Sequence, residues 1–184
     1  MKIAITGHTS GIGLSLYTKF KTQGHTVIGF SRATGYDIGS EDICSKLLNE
    51  ITDCDVLVNN AYHSIGQNRI LARILNNWNG TEKSVINISS NIVSVPYAHF
   101  DQYPSVQEYR TSKVVNNDIV NNYTGTVKIL NILPEAVKTN FFLGKFNREF
   151  LEKGMSPDYV AELIINTFNV NKSGTLVIKN LGNV

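Results

Sequence analysis

The sequence predicts an α/β protein with a doubly wound, mostly parallel sheet of about seven strands flanked by helices. Three observations predict it. Short β-branched runs alternate with longer segments of helical period from the first residue to the last. A glycine-rich turn joins the first run to the first helix. The length, 184 residues, can enclose one sizeable core and hardly two, so residues 1–184 are read as a single domain.

The elements follow in order. Lys2 to Thr6 is the first strand, and Ile12, Leu16 and Phe20 mark the first helix, which Gly24 ends. Thr26 to Phe30 is the second strand, and a brief third is expected near Tyr36 to Ile38. Ser40 caps a helix carrying Ile43, Leu47 and Ile51, after which Asp55 to Asn59 is the fourth strand. Ile70, Leu71, Ile74, Leu75 and Trp78 form one apolar helix face, and Ser84 to Ser89 is the fifth strand. A helix from Gln107 to about Asn122 precedes a sixth strand, Thr126 to Leu133, stopped by Pro134. Pro157 to Phe168 is a capped helix leading to a last strand, Thr175 to Ile178. Ligands of such sheets bind outside the carboxyl ends of the strands, where the strand order reverses.

Composition narrows the function. Apolar residues are 42% and charged residues 17% of the chain, a balance suited to a folded globular protein. The net charge is only +2, with the basic residues scattered, so no nucleic-acid or membrane partner is expected and small molecules are. Cys44 and Cys54 are too far apart for a redox or zinc pair and read as reduced thiols. With no signal-like or membrane-length apolar run, the expected location is the cytoplasm.

Between the first strand and first helix stands Thr6-Gly7-His8-Thr9-Ser10-Gly11-Ile12-Gly13. Glycines here let the backbone approach a pyrophosphate, and the free amides of the helix start favour an anion. The segment resembles the TGxxxGIG fingerprint of the short-chain dehydrogenase/reductase family at every fixed position. The resemblance implies a Rossmann-like domain that binds a dinucleotide through Gly7, Thr9, Ser10, Gly11, Ile12 and Gly13.

At the second strand's end, where a carboxylate would accept from a ribose hydroxyl and an arginine would pair with a ribose phosphate, stand Ser31 and Arg32. NADP(H) is therefore expected over NAD(H), with NAD(H) possible. Asp37-Ile38 resembles the family step that meets the adenine ring, and Asp37 also reads as a turn residue before Gly39. Asn59-Asn60-Ala61 resembles the family's NNAG motif, which assigns Asn60 and Ala61 to the cofactor, but Tyr62 replaces the closing glycine. A tyrosine there is expected to narrow or line the substrate site.

Tyr109 and Lys113 are spaced so that a helix puts them on one face, where a cation can stabilise a phenolate and let it exchange protons. Alone, such a pair is usually a solvated helix face. Upstream, Asn87-Ile88-Ser89-Ser90 followed by Tyr109-Arg110-Thr111-Ser112-Lys113 resembles the family's NISS and YxxSK motifs in order. The resemblance implies Ser90 as the serine that holds the substrate oxygen, with Ser89 the adjacent fallback. It makes Tyr109 the acid/base, and Lys113 both its electrostatic partner and a ribose ligand. The family's fourth member is an asparagine on the helix after NNAG, for which Asn68 is the candidate.

Pro134-Glu135-Ala136-Val137-Lys138-Thr139 resembles the family's PGxVxT segment and assigns Pro134, Val137 and Thr139 to the nicotinamide end. Glu135 replaces the glycine and would be strained if that backbone had a positive φ. A loop bearing Tyr97, His99, Phe100 and Tyr103 is read as lying on the substrate side, and His99 without a ligand partner predicts no metal. Phe141, Phe142, Leu143, Phe146 and Phe150 suit either a partly apolar substrate or ordinary packing.

The implied activity is reversible hydride transfer between the nicotinamide and a small carbonyl/alcohol substrate. The rival is a dinucleotide-binding regulator without catalysis, motivated by Tyr62, Glu135 and about twenty residues missing between Ala61 and Ser90 relative to typical members. A sugar-nucleotide epimerase is disfavoured for want of room for its second domain. A homo-oligomer, dimer or tetramer, is expected through the helices carrying Ile70 to Trp78 and Gln107 to Asn122.

Overall fold

A computed structural model describes residues 1–96, 104–142 and 153–180. The expectations placed on Tyr97, His99, Phe100, Tyr103, Leu143, Phe146 and Phe150 lie outside the described residues. Six strands form one parallel sheet: β1 (Lys2–Thr6), β2 (Thr26–Phe30), β3 (Val56–Asn59), β4 (Ser84–Ile88), β5 (Lys128–Pro134) and β6 (Gly174–Ile178). Their spatial order is β2-β1-β3-β4-β5-β6, so the winding direction reverses between β1 and β3.

The expected strand at Tyr36 to Ile38 is absent among the described residues, leaving β2 at the margin and the sheet one strand short of expectation. Local bonds explain the difference. Ser31 and Thr34 exchange hydrogen bonds that close a 3-10 turn, and Gly35 at φ 86° redirects the chain. Tyr36 then packs edge-on against Phe30, with its hydroxyl donating to Glu50, and Ile38 is buried in the core. The apolar residues that looked like strand anchor a connecting loop.

The helices are α1 (Gly11–Thr22), α2 (Glu41–Glu50), α3 (Gly66–Asn77), α4 (Pro104–Asn121) and α5 (Pro157–Val170). Helix α4 starts ahead of the expected Gln107. Strand alternation assigns the faces. Ile3, Ile5, Val56, Val58, Ile86 and Ile132 pack with Leu16 and Phe20 of α1 and Ile164 and Phe168 of α5. Ala4, Leu57, Val85 and Ile129 pack on the other face with Leu47 of α2 and Ile70, Leu71 and Ile74 of α3. Ser40 and Ser156 cap α2 and α5 by accepting from Ile43 and Tyr159 amides.

One row of this second face is polar. Asn59, Asn87 and Asn131 are register partners on β3, β4 and β5, and each is fully buried. Asn59 Nδ2 donates to Asn87 Oδ1 at 3.0 Å, and Asn87 Nδ2 donates to Asn131 Oδ1 at 2.8 Å and to Asn116 Oδ1 of α4 at 2.6 Å. Asn116 in turn donates to Asn68 on α3 at 2.8 Å. Buried amides are tolerated because nearly every donor and acceptor has a partner. The row pins α3 and α4 to the carboxyl half of the sheet, where the site lies.

Candidate active site

Parallel strands put the carboxyl ends of β1, β3, β4 and β5 on one edge, and the assigned residues gather there. The turn after β1 uses glycine for two reasons. Gly7 and Gly11 have φ of 72° and 55°, and a Cβ on Gly13 would lie 2.2 Å from the Gly7 carbonyl oxygen. Asn60 braces the turn from β3, donating from Nδ2 to Thr6 O at 2.9 Å, while its own amide and that of Ala61 donate to Thr6 Oγ1. Thr9 and Ser10 are exposed, and the Ser10 hydroxyl does not cap α1. The first-turn amides, with Gly11 and Ile12 among them, thus form a backbone cradle for an anion. Thr139 faces the cradle, its methyl 3.0 Å from where a Cβ on Gly11 would stand.

At the end of β2, Ser31 is buried and holds its turn, while Arg32 is exposed beside it. Asp37 is also exposed but spends Oδ1 on the Gly39 amide at 3.0 Å, the turn role that its position allowed. Ile38 faces the core. Pro134 ends β5, and Val137 is buried and bridged to Met155. No described non-glycine residue has positive φ, so the strain expected of Glu135 does not arise. Its carboxylate accepts from the Asn180 amide at 2.9 Å and from Asn91 Nδ2 at 3.4 Å, tying the β5 loop to the segment after Ser90.

Ser90 follows β4 and accepts at Oγ from the Ile92 amide at 3.3 Å. The Ser90 side chain acts on the Tyr109 phenol and lowers its pKa, whereas Ser89 Oγ is buried without a partner among the described residues. Arg110 fixes the serine segment to α4, donating from Nε to Val95 O at 2.7 Å and from Nη2 to Val93 O. Lys113 lies one turn beyond Tyr109, with Nζ 5.6 Å from the Tyr109 ring centroid and 5.7 Å from that of Tyr62.

The aromatic surroundings are tight. The Tyr62 ring lies 4.9 Å from Tyr109 and 5.1 Å from Phe141, and Phe141 lies 5.3 Å from Tyr109. Tyr109 is only 7% exposed. Tyr62, expected to narrow or line the substrate site, packs with Phe141 against Tyr109.

Burial pushes the Tyr109 phenol well above the usual tyrosine range, against the opposing effect of the Ser90 side chain. Burial also pulls Lys113 down to about 7. The phenol expected to be lowered by the lysine is thus raised, with desolvation the largest cause. Near neutrality the tyrosine holds its proton.

Asn68 does not reach Lys113. Its Nδ2 donates to Ser112 O at 3.0 Å and its Oδ1 accepts from Asn116, so it joins α3 to α4. The neighbouring Gln67 occupies the place beside the lysine, accepting from Lys113 Nζ at Oε1 at 2.8 Å. Reading only for an asparagine on this turn passed over it, although Gln67 stands one position earlier. Among the described residues no group of His, Cys, Asp or Glu is arranged to hold a metal ion, and no helix is long and apolar enough to cross a membrane.

Comparison of the sequence with models of protein families and with curated proteins gives no match. The fold does have solved counterparts. The chain is similar to a 3-ketoacyl-(acyl-carrier-protein) reductase from Brucella melitensis complexed with NADH, at 16% identity and TM-score 0.76, covering 100% of this chain and 98% of that one. It is similar to a short-chain dehydrogenase from Burkholderia cenocepacia in complex with NADP, at 12% identity and TM-score 0.75, covering 97% and 87%. An alcohol dehydrogenase from the archaeon Thermococcus sibiricus, complexed with 5-hydroxy-NADP, matches at 16% identity and TM-score 0.72, covering 100% and 98%. The fold is thus the Rossmann-like fold that short-chain dehydrogenases have.

Proposed function

We propose that the chain is a single-domain NADP(H)-dependent oxidoreductase of the short-chain dehydrogenase/reductase family, acting on a small carbonyl/alcohol pair. The observation that carries this reading is Lys113 Nζ 5.6 Å from the ring centroid of Tyr109, one helical turn back, with Ser90 acting on the same phenol, at the sheet edge that holds the glycine cradle. The three solved counterparts hold NADH, NADP and 5-hydroxy-NADP, which supports a nicotinamide cofactor.

The residues fit that cofactor at its diphosphate end, where the cradle admits no side chain at Gly13. Gly7 to Gly13, Asn60 and Ala61 would hold the diphosphate side, Ser31 and Arg32 a ribose phosphate, with Asp37 at the adenine. Pro134, Val137 and Thr139 would hold the nicotinamide side. A bound nicotinamide supplies or takes up the hydride.

Within the chain, the Ser90 hydroxyl orients the carbonyl oxygen, and the protonated Tyr109 phenol delivers a proton to that oxygen as negative charge develops on it. Carbonyl, hydride and proton together make the alcohol, and the phenolate left on Tyr109 faces the Lys113 ammonium. In the reverse direction Tyr109 accepts the proton. Tyr62 and Phe141 exclude water and favour a partly apolar substrate.

Homo-oligomerisation through α3 and α4 belongs to the same reading, supported by Ile65 and Val115, 61% and 46% exposed, beside the groove between those helices. So does a cytoplasmic location, motivated by two buried free thiols.

A second reading, a dinucleotide-binding regulator without turnover, is favoured by the cover of Tyr62 and Phe141 over Tyr109. A thermal-shift titration with NADPH and NADH, followed by a carbonyl panel monitored by NADPH oxidation, separates the two. Stabilisation with turnover is expected. Stabilisation without turnover selects the regulator, and no stabilisation by either nucleotide rejects both.

A further inference from the structure

Lys113 is a buried lysine that pairs with no carboxylate among the described residues. It is 2% exposed, and its Nζ donates to Gln67 Oε1 at 2.8 Å and to the Ile88 carbonyl at 2.7 Å. Both acceptors are neutral. The ionisable groups nearest it are Tyr62, from the segment after β3, and Tyr109, one turn back on α4. From α3 it meets Gln67 and from β4 only the Ile88 carbonyl. Glu108, beside Tyr109 on α4, raises the Tyr62 phenol.

The Gln67 amide has one orientation available. It is fully buried, and its Nε2 donates to two carbonyls, Asn59 O at 3.0 Å and Ile88 O at 2.9 Å. Carbonyls only accept, so the Nε2 side is fixed and Oε1 must face Lys113. Asn59 Nδ2 returns a bond to the Gln67 carbonyl at 3.2 Å, and Asn59 belongs to the asparagine row of the sheet. The oxygen facing the lysine is thereby held by β3 and β4 together.

We propose that Gln67 is a positioning residue that clamps the Lys113 amine from one side with an uncharged oxygen, and that its neutrality sets the protonation state of this lysine. The functional consequence rests on the reading of Lys113 as the cation facing the Tyr109 phenol. A carboxylate in this place would lock the lysine as an ammonium, whereas the amide leaves it free to lose its proton near neutral pH.

Two variants of similar length to glutamine push the lysine in opposite directions, which a purely structural role would not do. Gln67→Glu brings a negative charge to it, and Gln67→Met removes the acceptor. The readout is the titration of Lys113 in the cofactor-free protein, followed by NMR on protein labelled with 13C at lysine Cε and assigned with Lys113→Met.

The wild-type midpoint is expected at about 7. In Gln67→Glu it should rise by about 1 to 3 pH units. In Gln67→Met it should fall, and the pH profile of turnover should move with it in each case. A midpoint that stays in place in Gln67→Glu, or moves the same way in both variants, overturns the proposal. If neither variant folds, the wild type decides, because a midpoint at the ordinary lysine value of ~10.4 also overturns it. The titration needs no turnover, so an inactive protein with a responsive Lys113 would remove the oxidoreductase reading alone. An active one with an unresponsive lysine would remove this inference alone.

Discussion

His8 and Gly29 share one volume. A Cβ on Gly29 of β2 would stand 2.2 Å from His8 Cγ, so the imidazole of the glycine turn lies against a strand with no side chain at that point. The same ring stacks at 5.1 Å on Tyr17 of α1. The turn is therefore seated on β2 as well as on Asn60.

Gly29→Ala must push the histidine out and move the turn with it. The expected cost is about 1 to 3 kcal/mol of stability, as for other overpacked sites. A weaker thermal shift by NADPH should accompany it. Unfolding by urea and nucleotide titration of the same variant check both parts.

Tyr109→Phe keeps the ring that Tyr62 and Phe141 pack against and removes only the hydroxyl on which Ser90 acts. Turnover should fall by about 100-fold to 10,000-fold, the usual worth of a positioned proton donor, with nucleotide affinity nearly unchanged. Steady-state rates and nucleotide titration check it; unchanged turnover would reject Tyr109 as the acid.

Arg32 is exposed and makes no ion pair among the described residues. If it takes the ribose phosphate, Arg32→Ala should weaken NADPH binding by roughly 10-fold to 150-fold, the equivalent of one charge-assisted bond. NADH binding should barely change. Equal losses for the two nucleotides would remove the basis for an NADP(H) preference.

Asn87→Ala deprives the Asn131 and Asn116 side-chain oxygens of the donor they share. Two buried acceptors left unpaired cost about 2 to 6 kcal/mol. For a chain of this size that is a fall in Tm of roughly 4 to 24 °C, measurable by calorimetry.

Lys113 also sets a pH dependence of stability. Its folded value, about 7, lies below its ordinary 10.5, so between those limits the unfolded chain binds more protons than the folded one. Stability from this group is full above the upper limit and is lost as pH falls toward the lower. Relative to Lys113→Met, the wild type should gain stability steadily from pH 7 to 10, and parallel urea midpoints would contradict this.

Legibility in the sequence followed the range of the interactions. The strands with continuous β-branched runs and the helices with periodic apolar faces were readable because burial on a sheet demands those patterns. The glycine turn was readable because each glycine answers a local need. The supposed strand at Tyr36 to Ile38 misled because two apolar residues on a loop can be buried without pairing.

At the candidate site, Ser90, Tyr109 and Lys113 were assigned from motif order. Gln67 was not, because its amide on α3 is held by carbonyls of Asn59 and Ile88 on two strands. The high phenol of Tyr109 escaped for the same reason: it depends on the Tyr62 and Phe141 rings, which are remote from it in sequence.

Among the described residues β2 is the margin of the sheet, while the reversal of winding falls between β1 and β3, one strand inward. Trimming at that outer rim removes breadth without touching the crevice. A strand missing from that side therefore leaves the glycine turn supported, because β2 still offers it the bare backbone of Gly29 to rest against.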